Sequence, residues 1–164
     1  MALIVETGAA AADSESYASV ADANAYATAR GLTAWTGADA VKESALRNAT
    51  QYLDATYRFK GYRVAEHQAL MWPRSGVMFD GYTLAYDAIP TMLKTACIEL
   101  AIKAIAGSLI VDPDSQYVTD VQVGPIKKSM SAPQNGGQKT YSLIDSLLRD
   151  LIAGGSGSVQ LVRA

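Results

Sequence analysis

The sequence predicts a mainly α-helical domain: a small helical bundle with a β-hairpin insertion and an extended C-terminal arm. Several segments repeat apolar residues at three- and four-residue steps, which is typical of helices that bury one face. Residues 118–123 instead alternate apolar and polar side chains, Gly124-Pro125 turns the chain and residues 126–130 return, which indicates a hairpin at about 118–130. The run from Gly154 to Ser158 is typical of a flexible linker, and an apolar tail follows it.

Length and composition fit one globular domain with a short appendage. The chain has 164 residues, a common size for a single domain, and 49% of them are hydrophobic. Only 18% are charged, which leaves more uncharged surface than a monomer usually exposes. We therefore predict a helical domain over residues 1–153 and a flexible hinge with a docking tail over residues 154–164.

The first two helices are predicted from their ends and their apolar faces. Ser19 and Asp22 stand in the register of a capping box, so a helix over Val20–Arg30 is expected. Gly31 is suited to end it, because glycine adopts the left-handed conformation at a helix C-terminus without strain. The pattern of residues 39–57 predicts a longer amphipathic helix.

The segment between residues 59 and 90 is predicted to be mixed. Residues 59–63 form a connection, and residues 65–71 are expected to be a short helix. Pro73 should end that helix, because proline lacks a backbone donor and disfavours helix in the residue before it. Asp80-Gly81 between two apolar runs predicts a small hairpin.

The remaining elements are two helices and the hairpin insertion. Pro90 suits the first turn of a helix that reaches about Ala106, with Gly107 after it. That helix is apolar on nearly every side, which indicates the centre of the core or a subunit interface. Strands are expected over residues 118–123 and 126–130, and a leucine-rich helix over residues 141–153.

Charge and cysteine content exclude several classes of function. With 14 basic and 16 acidic residues, the chain has a net charge of −2, unlike a dedicated basic nucleic-acid-binding protein. The single cysteine excludes an intramolecular disulfide and a cysteine-based metal cluster. No targeting segment is expected, and the longest apolar stretch carries Glu99 and Lys103, so we predict no membrane partner.

The sequence offers little to support catalysis. His67 is the only histidine, and a nucleophile–histidine arrangement would have to use it. The simpler interpretation places His67 on the exposed face of a short helix and Cys97 in the core as a small hydrophobic side chain. We therefore predict no enzymatic activity, no cofactor and no metal site.

Two interpretations of binding follow from the residues. Nine tyrosines and two tryptophans could stack on bases, but the basic residues are scattered and only Lys127-Lys128 are adjacent. Single-stranded-DNA binding is therefore kept as the alternative. The apolar tail beyond the glycine–serine hinge favours docking onto a partner protein, although a frayed terminus is the ordinary state of a chain end.

Several segments together resemble a known family, the head–tail connector (adaptor) proteins of tailed bacteriophages and prophages. Related sequences are often labelled DnaT-like single-stranded-DNA-binding proteins. The resemblance covers about residues 1–152 and rests on the order of these segments: Ala2 to Gly8, Ser16 to Val20, Ala25-Tyr26, Arg30-Gly31, Arg47 to Asp54, Gln68 to Arg74, Ile89-Pro90 and Val123 to Lys127.

The resemblance implies a structural virion protein. Adaptors of this kind form a ring of about twelve copies under the portal protein, extend the DNA channel and join the capsid to the tail. The implied partners are further copies of the chain, the portal protein, a tail or tail-completion protein, and genomic DNA that passes without sequence-specific binding. The implied location is the head–tail interface of a virion assembled in a bacterial cytoplasm.

The resemblance also suggests roles for particular residues. Trp72, Pro73 and Arg74 are expected to form a framework turn in which Trp72 anchors in the core and Arg74 caps or pairs with an acid. Lys127 and Lys128 are expected near DNA in the channel. Portal contact is expected from six apolar residues of the last helix and tail: Leu147, Leu151, Ile152, Val159, Leu161 and Val162.

Overall fold

The computed structural model describes residues 2–110, 120–123, 126–129 and 139–154. Contacts divide the chain into two compact units. The first runs to Leu109 and resumes at Ser142, and the second is the intervening segment Ile110–Tyr141. The predicted hinge and tail lie outside the described residues beyond Gly154.

Four helices and three short strand pairs make up the described parts of the chain, which confirms a mainly helical small domain. The helices are α1 (Val20–Arg30), α2 (Asp39–Thr56), α3 (Thr91–Ala106) and α4 (Ser142–Leu148). None of them is long and apolar enough to cross a membrane.

The core of the first unit forms where α2, α3 and α4 pack together. Because α3 is apolar on most sides, it can bury side chains against both of the other helices. The fully buried aliphatic side chains of this core are Leu46, Leu53, Leu93, Leu100, Ile144, Leu148 and Leu151.

Helix α1 has the bounds and the caps that the sequence predicts. The Ser19 hydroxyl accepts a hydrogen bond from the backbone N–H of Asp22, and the Asp22 carboxylate accepts one from the N–H of Ser19. At the other end Gly31 adopts the left-handed conformation, with φ of 63°. Both ends therefore satisfy backbone groups that a helix leaves unpaired.

The strands form three antiparallel pairs. The first unit holds β1 (Tyr62–Arg63) with β2 (Arg74–Ser75), and β3 (Met78–Phe79) with β4 (Tyr82–Thr83). The turn between β3 and β4 is the predicted Asp80-Gly81, and both residues have positive φ as such a turn requires. In the second unit, β5 (Asp120–Val123) pairs with β6 (Ile126–Ser129), as the alternation predicts.

Two predicted helices are corrected by the structure. Residues 65–71 form turns and bends instead of a helix, so Pro73 ends no helix. The last helix is shorter than predicted and ends at Leu148. Beyond it the chain turns, and Ile152 forms a β-bridge with Phe59, which draws the backbone out of helical geometry.

The N-terminal arm is held by a buried carboxylate. Glu6 is 1% exposed and accepts hydrogen bonds from the backbone N–H groups of Gly8, Ala10 and Ala11 and from the hydroxyl of Ser14. A buried charge is tolerated only when its oxygens are hydrogen-bonded in this way. The arm therefore has a fixed shape without being helix or sheet.

Gly61 allows the chain to pass closely over β2, and this contact can be tested. Gly61 and Gly81 both have positive φ, at 73° and 83°. A Cβ at Gly61 would overlap the Ser75 carbonyl oxygen and lie 2.7 Å from Val77 Cγ2, whereas a Cβ at Gly81 meets nothing within 4 Å.

We expect Gly61→Ala to lower the free energy of unfolding by about 3 kcal/mol, from backbone strain together with overpacking. The matched variant Gly81→Ala should lower the free energy of unfolding by only about 1 kcal/mol, because its Cβ adds backbone strain but no overpacking. Urea denaturation of both variants measures the difference. Equal losses would show that the close approach at Gly61 contributes nothing to stability.

Candidate nucleic-acid interface

Four basic side chains follow α2 within a short stretch of chain. Residues 58–74 contain Arg58, Lys60, Arg63 and Arg74 but a single acidic residue, Glu66. Arg58, Lys60 and Arg63 are exposed, and Arg74 is half-buried. We call residues 58–74 the basic segment, because its charge is opposite in sign to the net charge of the whole chain.

Exposed aromatic rings lie within and just after the basic segment. Tyr62 is 80% exposed on β1, Tyr82 is 77% exposed on β4, and Tyr86 is 61% exposed after it. Only Gly76 and Val77 separate the β1–β2 pair from the β3–β4 hairpin. Large aromatic side chains usually bury most of their surface, so this exposure leaves ring faces available for stacking.

The buried amide of Gln68 holds the basic segment in shape. Gln68 is 2% exposed, and its Oε1 accepts hydrogen bonds from the N–H groups of Val64 (2.9 Å) and Ala65 (3.0 Å). Its Nε2 donates to the carbonyl oxygens of Leu70 (2.8 Å) and Pro73 (3.1 Å). These bonds replace the backbone bonds of a helix, which explains why residues 65–71 are not helical.

Arg74 fixes the start of the basic segment onto β2. Its guanidinium donates to the carbonyl oxygens of Lys60 (2.7 Å), Gly61 (2.6 Å) and Met71 (3.2 Å). Partial burial lowers its pKa, although the guanidinium stays charged in proteins. The predicted acid pair or helix cap is therefore replaced by three backbone contacts.

Asp54, near the end of α2, joins the basic segment to the N-terminal arm. Its carboxylate accepts hydrogen bonds from the Tyr17 hydroxyl and from the Met71 N–H at 3.0 Å, and the Tyr17 oxygen accepts from the Trp72 N–H at 3.2 Å. Burial raises the pKa of Asp54, against the effect of these hydrogen bonds and of Arg63 and Arg74. Burial, followed by the charge of Asp54, raises the pKa of Tyr17 well above its usual range.

The predicted framework residues Trp72 and Pro73 are both buried. Trp72 is 0% exposed, and its indole packs edge-on against Phe59 with ring centroids 6.0 Å apart. The basic segment is thus anchored in the core at both ends, through Phe59 and through Trp72.

Two predicted portal-binding residues lie against the basic segment instead of forming an open face. Leu151 is 0% exposed, and its carbonyl oxygen accepts from the Lys60 N–H at 2.8 Å. Ile152 is half-buried and bridges to Phe59. These backbone contacts join residues 151 and 152 to the start of the basic segment, and portal contact through the two side chains stays a prediction of the sequence.

The other predicted contact residues are dispersed. Leu147 is half-buried at the end of α4. Val159, Leu161 and Val162 lie outside the described residues. Lys127 and Lys128 lie on β6 in the second unit, opposite Gln122 and Val121.

The two residues considered for catalysis differ in their exposure to solvent. His67 is exposed in a turn, while Cys97 is fully buried on α3, where its sulfur contacts the hydroxyls of Thr50 and Ser16. Burial raises the pKa of Cys97, which keeps the thiol protonated and unreactive. No group of three or more metal-ligating side chains occurs among the residues the structure describes.

The basic segment was not predicted from the sequence as a candidate interface. The signal was the run Arg58-Phe-Lys60-Gly-Tyr62-Arg63, in which basic and aromatic residues alternate closely. Arg74 is eleven positions further along the chain and joins this run only through the β1–β2 pairing.

Comparison with known proteins gives one match. A family model described as "Putative DnaT-like ssDNA binding protein" matches residues 1–164. No curated protein and no solved structure matches the chain.

The buried carboxyl of Asp54 predicts a specific pH dependence. Because its pKa is raised, the folded protein binds a proton there more tightly than the unfolded chain does. At a pH above the pKa of Asp54 in the folded protein, the ionised carboxyl lowers the free energy of unfolding. This loss disappears at a pH below about 4, the pKa of an aspartate in the unfolded chain.

We expect the free energy of unfolding of the native protein, measured relative to Asp54→Asn, to rise as the pH falls from about 8 to about 4. The asparagine variant is the reference because it does not titrate at this position. Denaturant unfolding at a series of pH values gives both curves. A relative free energy that falls over this range would show that the bonds from Tyr17 and Met71 outweigh burial.

Proposed function

We propose single-stranded-DNA binding as the function of this chain, which belongs to the family described as putative DnaT-like ssDNA-binding proteins. The match spans the whole sequence, so it covers the helices and all three strand pairs. The observation that carries the proposal is the basic segment, with exposed cations and exposed tyrosine rings on adjoining strand pairs.

The prediction of a head–tail adaptor is wrong. The family whose model matches the chain carries the description "Putative DnaT-like ssDNA binding protein", and it supports the alternative interpretation instead. The descriptions as a virion protein, a portal-binding protein and a dodecameric ring rested on the adaptor interpretation, and the family match gives them no support. The portal and tail proteins as partners, and a place at the head–tail interface, stay predictions of the sequence alone.

Local charge favours contact with phosphates. Most of the affinity of proteins for nucleic acid comes from Lys and Arg contacts that release counterions. Arg58, Lys60 and Arg63 are exposed within six residues, where no acidic residue intervenes. The net charge of the whole chain is −2. Salt screens exposed acidic residues that lie more than about 10 Å from a phosphate, so those residues weaken its attraction to the basic segment only slightly.

The exposed tyrosines provide the second component of single-strand binding. Bases that are not paired expose their faces, and each base stacked on an aromatic ring contributes about 1–3 kcal/mol. Tyr62 and Arg63 are consecutive on β1 and project to opposite faces of the strand pair, so they offer two separate contacts, a ring for a base and a cation for a phosphate. Paired bases in a duplex are stacked on each other, which favours single strands over duplex at such a surface.

The backbone of this surface is held in place by the protein's own side chains. Gln68, Arg74 and Asp54 hold it through side-chain hydrogen bonds to the backbone. Binding then costs less conformational entropy than ordering a free loop would. The basic segment forms almost no regular secondary structure, but these hydrogen bonds give it the fixed shape that a binding surface needs.

Stacking on Tyr62 can be tested with a matched pair of variants. We expect Tyr62→Ala to weaken binding of an oligo-dT by roughly 5- to 150-fold, the range given by the stacking energy of one base. Tyr62→Phe keeps the ring and should bind within about twofold of the native protein. Fluorescence anisotropy with a labelled oligonucleotide measures all three proteins.

Equal binding by both variants would contradict stacking at Tyr62. Absence of oligonucleotide binding by the native protein, at low salt and at high micromolar concentration, would contradict the proposed function itself.

The salt dependence of binding tests the phosphate contacts. With about 0.7 counterions released per phosphate of a single strand, contacts from Arg58, Lys60 and Arg63 predict a slope near −2 in a plot of log affinity against log salt concentration. Anisotropy titrations at several sodium chloride concentrations give this slope. A slope close to zero would show that the cations of the basic segment do not contact phosphate.

A further inference from the structure

Two arginines stand directly opposite each other on β1 and β2. Arg63 pairs with Arg74 in the antiparallel register. Residues opposite each other on such a pair project to the same face, and like charges at these positions destabilise the pair. The contact between these two cations therefore does not stabilise the fold, so its presence calls for another explanation.

The pKa shifts of Asp54 and Arg74 agree with the strand register in placing the two guanidinium groups in one neighbourhood. Both act on the carboxyl of Asp54 and favour its ionised form. After partial burial, which is the largest cause, the charge of Arg63 also contributes to the lowered pKa of Arg74. The two cations therefore interact with each other and with the same acid.

Asp54 does not neutralise this pair by direct contact. Its two carboxylate oxygens accept from the Tyr17 hydroxyl and from the Met71 N–H. The ion pairs within 4.0 Å that the structure shows among described residues are those of Arg47 with Glu15 and Glu43. Positive charge is thus left in excess between β1 and β2.

The two side chains differ in how their donors are used. Arg74 donates through all three of its nitrogens to backbone carbonyl oxygens, so its position is fixed. Arg63 is exposed and donates through Nη2 to the Gln68 carbonyl oxygen. Nη2 carries two N–H groups and Gln68 takes one of them, so one of the two guanidinium forks, Nε with Nη2 or Nη1 with Nη2, stays open to a phosphate from solution.

We propose that Arg63 and Arg74 form an anion site for one phosphate group, with Arg63 donating hydrogen bonds to the phosphate oxygens and the fixed charge of Arg74 adding to the attraction. This proposal rests on the proposed function, because the bound strand supplies the phosphate. It assigns the strongest phosphate contact of the surface to Arg63. Arg58 and Lys60 lack an opposing arginine and contribute as single charges.

The test compares variants that remove one positive charge each. Arg63→Gln should weaken oligo-dT binding about tenfold and make the salt slope shallower by about 0.7. Lys103→Gln, which removes an exposed charge from α3, should leave both quantities within about twofold of the native values. Arg63→Lys keeps the charge but loses the fork, so it should keep the slope and lose part of the affinity.

A second measurement tests the anion site without DNA. Inorganic phosphate is titrated into the native protein while the Nε–H resonance of Arg74 is followed by NMR. A shift that saturates with phosphate, and that is absent in Arg63→Gln but present in Lys103→Gln, supports the site. Absence of a saturating shift in the native protein overturns it, whether or not the protein binds DNA.

Two sources of phosphate are distinguished by oligonucleotides with and without a 5′-phosphate. Weaker binding of both oligonucleotides to Arg63→Gln supports an internal phosphodiester as the ligand. Weaker binding of the 5′-phosphorylated one alone supports a terminal phosphate. Equal affinities of Arg63→Gln and Lys103→Gln for both would overturn the site while leaving single-strand binding intact.

Discussion

The structure of the candidate interface depends on buried and half-buried polar side chains that satisfy the backbone of residues 58–76. This stretch has only two-residue strands, so most of its N–H and C=O groups need other partners. The side chains of Gln68, Arg74 and Asp54 supply these partners. Each of them bonds to backbone groups that no helix or sheet bond satisfies. Such contacts are expensive to leave incomplete, which makes the shape of the segment specific.

This arrangement separates the residues that support the surface from those that are displayed on it. Trp72, Phe59 and Leu151 anchor the segment in the helical core, while Tyr62 and Arg63 face solvent between those anchors. A chain with a net negative charge can therefore present a local cationic surface, because the overall charge says nothing about where the individual charges lie. Arg74 belongs to both groups, since it fixes the backbone and contributes charge.

Much of the fold could be predicted because its signals are local. The capping box of Ser19, the Asp80-Gly81 turn and the apolar face of α3 are each encoded within a few consecutive residues. The basic segment could not be predicted in the same way. Its non-helical shape depends on the burial of Gln68, and the meeting of Arg63 with Arg74 depends on strand pairing across ten intervening residues. The positions of Leu151 and Ile152 likewise follow from a β-bridge to Phe59 that no local pattern indicates.

Photo-crosslinking of the full-length protein to an oligonucleotide substituted with bromodeoxyuridine tests most directly whether residues 58–86 bind single-stranded DNA. Mass spectrometry of the digested complex then locates the crosslinked residues. We predict crosslinks at Tyr62, Tyr82 or Tyr86, competed by unlabelled single strands more effectively than by duplex. Crosslinks confined to α1, to the β5–β6 hairpin or to any other part of the chain would contradict the assignment of the binding surface to the basic segment and its tyrosines.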